Sequence, residues 1–135
     1  MKGIISNLHI LAGLALIIIP LIIIGLNSKS RWLKPLSFVT AAIGWLLLLP
    51  AGKLYLTFYP ETKKLVKSGA WPWAHSIIME TKEHWGLLLP IIATVGAILI
   101  YNGKFNESKR WWWLLWIIAL SLGIMGRIVT TGAWI

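Results

Sequence analysis

The chain has no cysteine and no aspartate, and only 4 of its 135 residues are acidic. Without cysteine it can form no disulfide, thiolate metal site or cysteine-bound iron–sulfur cluster. A di-metal centre in a helix bundle draws carboxylates from several helices, and only the third apolar segment offers any here, so such a centre is disfavoured. No Ser/His/Asp arrangement or glycine-rich phosphate loop suggests hydrolase or nucleotide chemistry.

Apolar residues dominate what is present. They make up 58% of the chain, and the mean hydropathy is +0.77. Four apolar runs are each long enough, at about 17–25 residues, to cross a bilayer. The predicted spans are residues 4–26, 35–55, 84–101 and 111–129. We therefore predict an all-α integral membrane protein, a single domain over residues 1–135 folded as an up-down four-helix bundle.

The connections between these spans are mostly short. The longest is predicted over residues 56–70 and could extend to residue 82. Within it, residues 74–83 should form either a helix at the lipid headgroups or the protruding start of the third span. Trp111, Trp112 and Trp113 open the fourth span and are typical of an aromatic belt at the membrane interface.

The charge is strongly positive, with 13 Lys and Arg and a formal net charge of +9. These cations are divided among short loops, which favours contact with lipid headgroups and argues against nucleic-acid binding. Six of them lie in the loops 27–34 and 102–110, on the face opposite the termini. Five lie on the face of the termini and the long connection, and Lys82 and Arg127 are assigned to neither face. The positive-inside rule then favours termini outside the cell membrane.

One polar residue in each span falls at a similar depth. With a rise of about 1.5 Å per residue, all four lie roughly 9–14 Å from the membrane midplane, on the side of the termini. They are His9, Lys53, His84 and Arg127. Ionisable side chains inside a membrane are costly, so such a layer indicates a functional site.

Two neutral imidazoles beside cations in an apolar slot are typical of a b-type haem. We expect His9 and His84 to be the axial ligands of one haem b, with Lys53 and Arg127 neutralising its propionates. Gly13 would admit the flat ring, as would Gly44, Gly86, Gly123 and Gly126. His75 is the alternative ligand, but it lies nine residues before His84, about 13 Å along a continuous helix.

Simpler explanations compete with this site. Histidines near span ends are often interfacial, and Lys53 and Arg127 could snorkel to the headgroups. Gly123 and Gly126 could serve ordinary helix packing. Glu80, Glu83 and the histidines would also suit a quinone site, because a quinol needs a nearby proton acceptor.

Three short motifs resemble the DUF2231 family of small four-span membrane proteins, thought to be cytochrome-b-like. They are Asn7-Leu8-His9-Ile10-Leu11, Glu83-His84-Trp85 and a last-span ending that runs from Gly126-Arg127 to Gly132. The resemblance implies roles for His9, His84 and Arg127 and a Rieske-type or other electron-transfer partner. The family's final histidine is replaced here by Thr131, and its usual second histidine in the first span is missing.

The sequence thus favours a b-type haem membrane subunit that carries electrons between a redox partner and the quinone pool or other subunits. It has no catalytic residue that we can assign, and it would be an electron-transfer subunit rather than a self-contained enzyme. The alternative is a haem-free accessory subunit of a larger respiratory or oxygenase complex. A small transporter is disfavoured, because polarity is found mainly at one end of the spans.

Overall fold

The computed structural model describes residues 2–134, with side chains described for residues 3–133. The side chain of Lys2, one of the cations counted on the terminal face, lies outside the described residues. The chain is 89% helical, and the described part contains no strand. The predicted all-α four-helix bundle is confirmed: four long helices, each apolar enough to cross a membrane, cover Gly3–Gly25, Leu33–Ser68, Ala74–Tyr101 and Phe105–Ala133.

Two of the four long helices change their winding along their length. The first helix, α1, is Lys2–Gly25, and the last, α6, is Phe105–Trp134. The second long helix consists of three consecutive segments: α2 (Leu33–Lys53), the π-helical segment π1 (Leu54–Phe58) and α3 (Tyr59–Ser68). The third is a π-helical segment π2 (Ala74–Met79), then α4 (Glu80–Gly86) and α5 (Leu88–Tyr101).

The connection expected at residues 56–70 is helical almost to its end. Pro60 has no amide proton to donate to the carbonyl four residues before it, and the wider π winding ends at Phe58, two residues before this proline. The helix then continues to Ser68, which leaves only residues 69–73 as the connection. Residues 74–83 are the protruding start of the third long helix, which was one of the two expected arrangements.

The membrane-spanning helices form a closed ring of neighbours. The helix α1 contacts α2 and α6, and α5 contacts the same two helices from the opposite corner. At the centre lie fully buried side chains such as Leu16, Leu115 and Trp112. Leucine, isoleucine and alanine complete this apolar core, so the middle of the bundle offers no polar passage.

Small residues allow these helices to approach closely. A Cβ placed on Gly96 would lie 2.8 Å from the Trp112 ring, and one on Gly44 would lie 3.0 Å from Pro90 Cα.

Trp112 is therefore a core residue and does not belong to the expected aromatic belt, whereas Trp113 is 44% exposed. Successive helix positions are about 100° apart, so three consecutive tryptophans cannot all face lipid.

A second, smaller core lies at the end of the bundle that carries the termini. Its buried members are Tyr59, Val66, Ala74 and Val129. The segment π2 and α3 pack against α6 in this region, whereas π1 contacts α1. About twenty helical residues cross a hydrocarbon core. Twenty residues after Leu33, where α2 begins, the second helix reaches Lys53. About twenty residues before Tyr101, where α5 ends, the third helix is at Lys82. The second core therefore lies at the level of the lipid headgroups.

Candidate functional site

The most buried histidine of the described chain is His75, which is only 4% exposed. It stands near the start of π2 and faces Tyr59, the first residue of α3. The Tyr59 hydroxyl lies 2.9 Å from His75 Nδ1, and the two rings are 5.7 Å apart between centroids. Two separate helices thus fix the orientation of this imidazole through one hydrogen bond and ring packing.

The other nitrogen of His75 faces a carboxylate. His75 Nε2 lies 3.7 Å from Glu80 Oε1, and the Glu80 side chain is 58% exposed. A carboxylate on this side favours a proton on Nε2, which leaves Nδ1 to accept the hydrogen of the Tyr59 hydroxyl. The three groups form a chain that runs from the buried core to the exposed surface.

More polar groups lie beside Tyr59, His75 and Glu80, one helical turn deeper in the bundle. Tyr55 stacks on Tyr59 with ring centroids 5.5 Å apart, and it lies within interaction range of the Glu83 carboxylate. The Lys82 side chain runs along α6, where its Cε lies 3.3 Å from the position of a Cβ on Gly126. The ammonium group of Lys82 is close enough to interact electrostatically with His9 on α1.

We call these seven residues the terminal polar cluster: His9, Tyr55, Tyr59, His75, Glu80, Lys82 and Glu83. Two of its atoms, His9 Nδ1 and Glu83 Oε1, are buried and have no hydrogen-bond partner among the described residues. A buried polar atom without a partner costs about 1–3 kcal/mol. Such atoms at the membrane level are typical of a place where a further polar group binds.

The expected haem ligands are not brought together in this arrangement. His9 is half-buried and faces the bundle interior, but His84 is exposed. Its Nδ1 donates a hydrogen bond to the Glu80 carbonyl, 2.7 Å away on its own helix. An imidazole that faces lipid cannot share an iron with one inside the bundle. The pair His9 and His84 therefore does not fit a haem.

The cations and glycines expected around the haem are also placed elsewhere. Lys53 and Arg127 are both exposed, and Lys53 lies at the edge of an apolar cleft between α1 and α2. The space beside Gly126 is filled by Lys82, while a Cβ on Gly13 would meet nothing within 4 Å. Of the expected glycines, Gly44 packs against Pro90 and Gly126 against Lys82, so these two do not border an open slot.

The alternative ligand His75 faces inward, in contrast to His84. Both of its ring nitrogens already have neighbours: Nδ1 contacts Tyr59, and Nε2 faces Glu80. Across residues 2–134, no group of three or more His, Asp or Glu side chains is positioned to hold a metal ion. The chemistry that the cluster does offer is proton exchange. Imidazole, phenol, carboxylate and ammonium groups lie within reach of one another beside an exposed carboxylate.

Sequence reasoning missed several members of the cluster. Tyr55, Tyr59 and Lys82 were not considered as site residues, although Tyr55 and Tyr59 are four residues apart and so share one helix face. Their position depends on π1, which rotates the chain after Lys53. Apart from Pro60, which follows π1, the sequence has no pattern that predicts a π-helical segment here.

The chain was compared with protein-family models, curated proteins and solved structures, and none of them matches it. The resemblance to the DUF2231 family thus stays a prediction, and the interpretation of the site depends on its own geometry.

Proposed function

We propose that this protein is a haem-free membrane subunit that binds a quinone at the terminal polar cluster and exchanges protons with it. Its place would be in a larger electron-transfer complex, where a redox centre of a partner subunit supplies or accepts the electrons. The single observation that carries the proposal is the buried Tyr59–His75 pair that leads to the exposed Glu80.

The donors and acceptors of the cluster match the chemistry of a quinone. A quinone carbonyl accepts hydrogen bonds, which a histidine or lysine can donate, and a quinol hydroxyl donates one to a carboxylate or imidazole. His9 Nδ1 and Glu83 Oε1 are the unpaired buried atoms available for this. On reduction, a quinone takes up two electrons and two protons, and Glu80 and His75 are placed to relay those protons from the interface.

The location of the cluster also favours this function. It lies at one membrane level, and the apolar core above it closes the bundle toward the opposite face. Protons can thus be exchanged on one side only, which argues against a channel or transporter formed by a single chain. A lipophilic substrate from the bilayer would reach the cluster without crossing water.

A binding titration tests the proposal. Decylubiquinone should quench the tryptophan fluorescence of the detergent-solubilised protein, which has 10 tryptophans. We expect His9→Ala and His75→Ala to weaken binding about tenfold or more, which corresponds to about 1.4 kcal/mol. His84→Ala is the matched control, because this exposed imidazole lies outside the cluster, and it should bind as the wild type does.

Two results would contradict the proposal: no saturable quenching by the wild-type protein, or an equal loss of affinity in His84→Ala. Circular dichroism of each variant checks that it is folded. If His75→Ala does not fold, Tyr59→Phe replaces it, because this change removes the hydrogen bond to the imidazole but keeps the ring.

The haem hypothesis has its own test. A reduced-minus-oxidised visible spectrum of the purified protein should show no b-type α-band. A band that is present in the wild type and lost in His9→Ala would overturn the haem-free assignment.

We further propose that the protein lies in the plasma membrane with both termini outside. The support is the small excess of cations on the loops opposite the termini, which the positive-inside rule places in the cytoplasm.

A further inference from the structure

A basic cleft lies beside α3, outside the terminal polar cluster but sharing one wall with it. Its volume is about 450 Å³. Aromatic and apolar residues form part of its lining, and lysines form the rest: Tyr55, Leu56, Tyr59, Pro60, Lys63, Lys64 and Lys67. The size is enough for a phosphate group with part of the molecule that carries it.

The three lysines of the cleft have no acidic partner. Within residues 3–133, the only close pairing of a basic with an acidic side chain is that of His75 with Glu80. Lys63 and Lys67 are one helical turn apart, and so are Lys64 and Lys67, so their like charges repel one another. An anion in the cleft would remove this repulsion.

The cleft also has the hydrogen-bond donors and the depth that a phosphate requires. Lysine ammonium groups are common phosphate ligands, and the Tyr55 hydroxyl of the lining can also donate a hydrogen bond. α3 follows the membrane-spanning α2 after the short segment π1, and Trp71 and Trp73 lie nearby in the chain with ring centroids 5.6 Å apart. Tryptophans of this kind mark the headgroup level of a membrane.

We propose that this cleft is a binding site for a phosphate group, supplied either by the headgroup of an anionic phospholipid or by a soluble phosphate. Tyr59 connects it with the terminal polar cluster, because its ring lines the cleft and its hydroxyl contacts His75. Phosphate binding in the cleft does not require a bound quinone, because Lys63, Lys64 and Lys67 all belong to α3.

Thermal unfolding of the full-length protein in a neutral detergent tests this site. Three additions are compared: dioleoyl phosphatidylglycerol, dioleoyl phosphatidylcholine and inorganic phosphate. We expect phosphatidylglycerol or inorganic phosphate to raise the midpoint by several degrees and phosphatidylcholine to have less effect. A response to the lipid alone identifies a headgroup as the source, and a response to inorganic phosphate identifies a soluble anion.

The variant Lys63→Gln/Lys64→Gln/Lys67→Gln should lose this response. The matched control, Lys29→Gln/Lys34→Gln/Lys104→Gln, removes three exposed lysines from the opposite end of the bundle and should keep it. Equal stabilisation by phosphatidylglycerol and phosphatidylcholine, or the same loss in both triple variants, would overturn the proposal. The cleft variant should still show saturable quenching by decylubiquinone, which separates this result from a failure of the proposed function.

Discussion

The hydrogen bond between Tyr59 and His75 is the single contact that most strongly determines the site. Both side chains are buried, at 7% and 4% exposure, so neither can exchange its partner for water. Removing one partner of a buried hydrogen bond costs more than the bond itself contributes, because the remaining group is left unsatisfied. The pair therefore stabilises the fold as well as orienting the imidazole.

At this scale we predict that Tyr59→Phe lowers the free energy of unfolding by about 1–3 kcal/mol, since it leaves His75 Nδ1 without a donor. Chemical denaturation in detergent micelles measures the change. Tyr101→Phe is the control, because that tyrosine is 51% exposed at the opposite end, and its loss should stay within about 0.5 kcal/mol. Equal stabilities of Tyr59→Phe and wild type would show that the hydrogen bond does not form.

The sequence could have predicted that His75 and His84 face opposite directions, but not which of them faces inward. Nine residues of α-helix make about two and a half turns, so the two imidazoles must point in nearly opposite directions. The helical rise per residue places His84 at the same membrane depth as His9, but depth does not determine the direction in which a side chain points. The inward direction of His75 follows once Ala74 beside it is seen to be fully buried against α6.

Among the helices, α5 packs tightly against α6 at Gly96 and Trp112. The indole ring of Trp112 is fully buried and leaves no space for a side chain at residue 96. Helices in a membrane associate through such close van der Waals packing, because lipid and protein interior are equally apolar.

We therefore predict that Gly96→Ala destabilises the bundle by about 1–3 kcal/mol, since the new methyl group forces the rigid ring to move. Gly13→Ala is the matched control: a Cβ there meets nothing within 4 Å, and alanine is the better helix former. Thermal unfolding in detergent compares the two variants. A Gly96→Ala protein as stable as Gly13→Ala would show that α5 and α6 are not in this contact.

The extent of the helices was harder to predict than their number. Hydropathy falls at Lys63, Lys64 and Lys67, which suggested a loop, yet lysine is a good helix former and the helix continues into the headgroup region. A change from apolar to charged residues thus marks the exit from the membrane and not the end of the helix. The position of Tyr59 depends on this continuation, so the site could not be assembled from the sequence.

For the whole molecule, orientation follows from charge and can be measured directly because the chain has no native cysteine. We predict that Ala70→Cys, on the face of the termini, reacts with a membrane-impermeant maleimide in intact cells. Ser28→Cys, in the loop of the opposite face, should react only after permeabilisation. Both positions are exposed, so accessibility of the side chain is equal. The reverse labelling pattern would place the termini inside.

For the whole molecule we also propose that a quinone binds at the terminal end of the bundle, beside His9, Tyr55 and His75. Photolabelling of the membrane-embedded protein with an azidoquinone, followed by peptide mapping, tests it most directly. We predict labels on the segments that carry these residues, and their displacement by unlabelled decylubiquinone. Labels confined to residues 26–32 and 102–104 at the opposite end, or labels that decylubiquinone does not displace, would contradict the account.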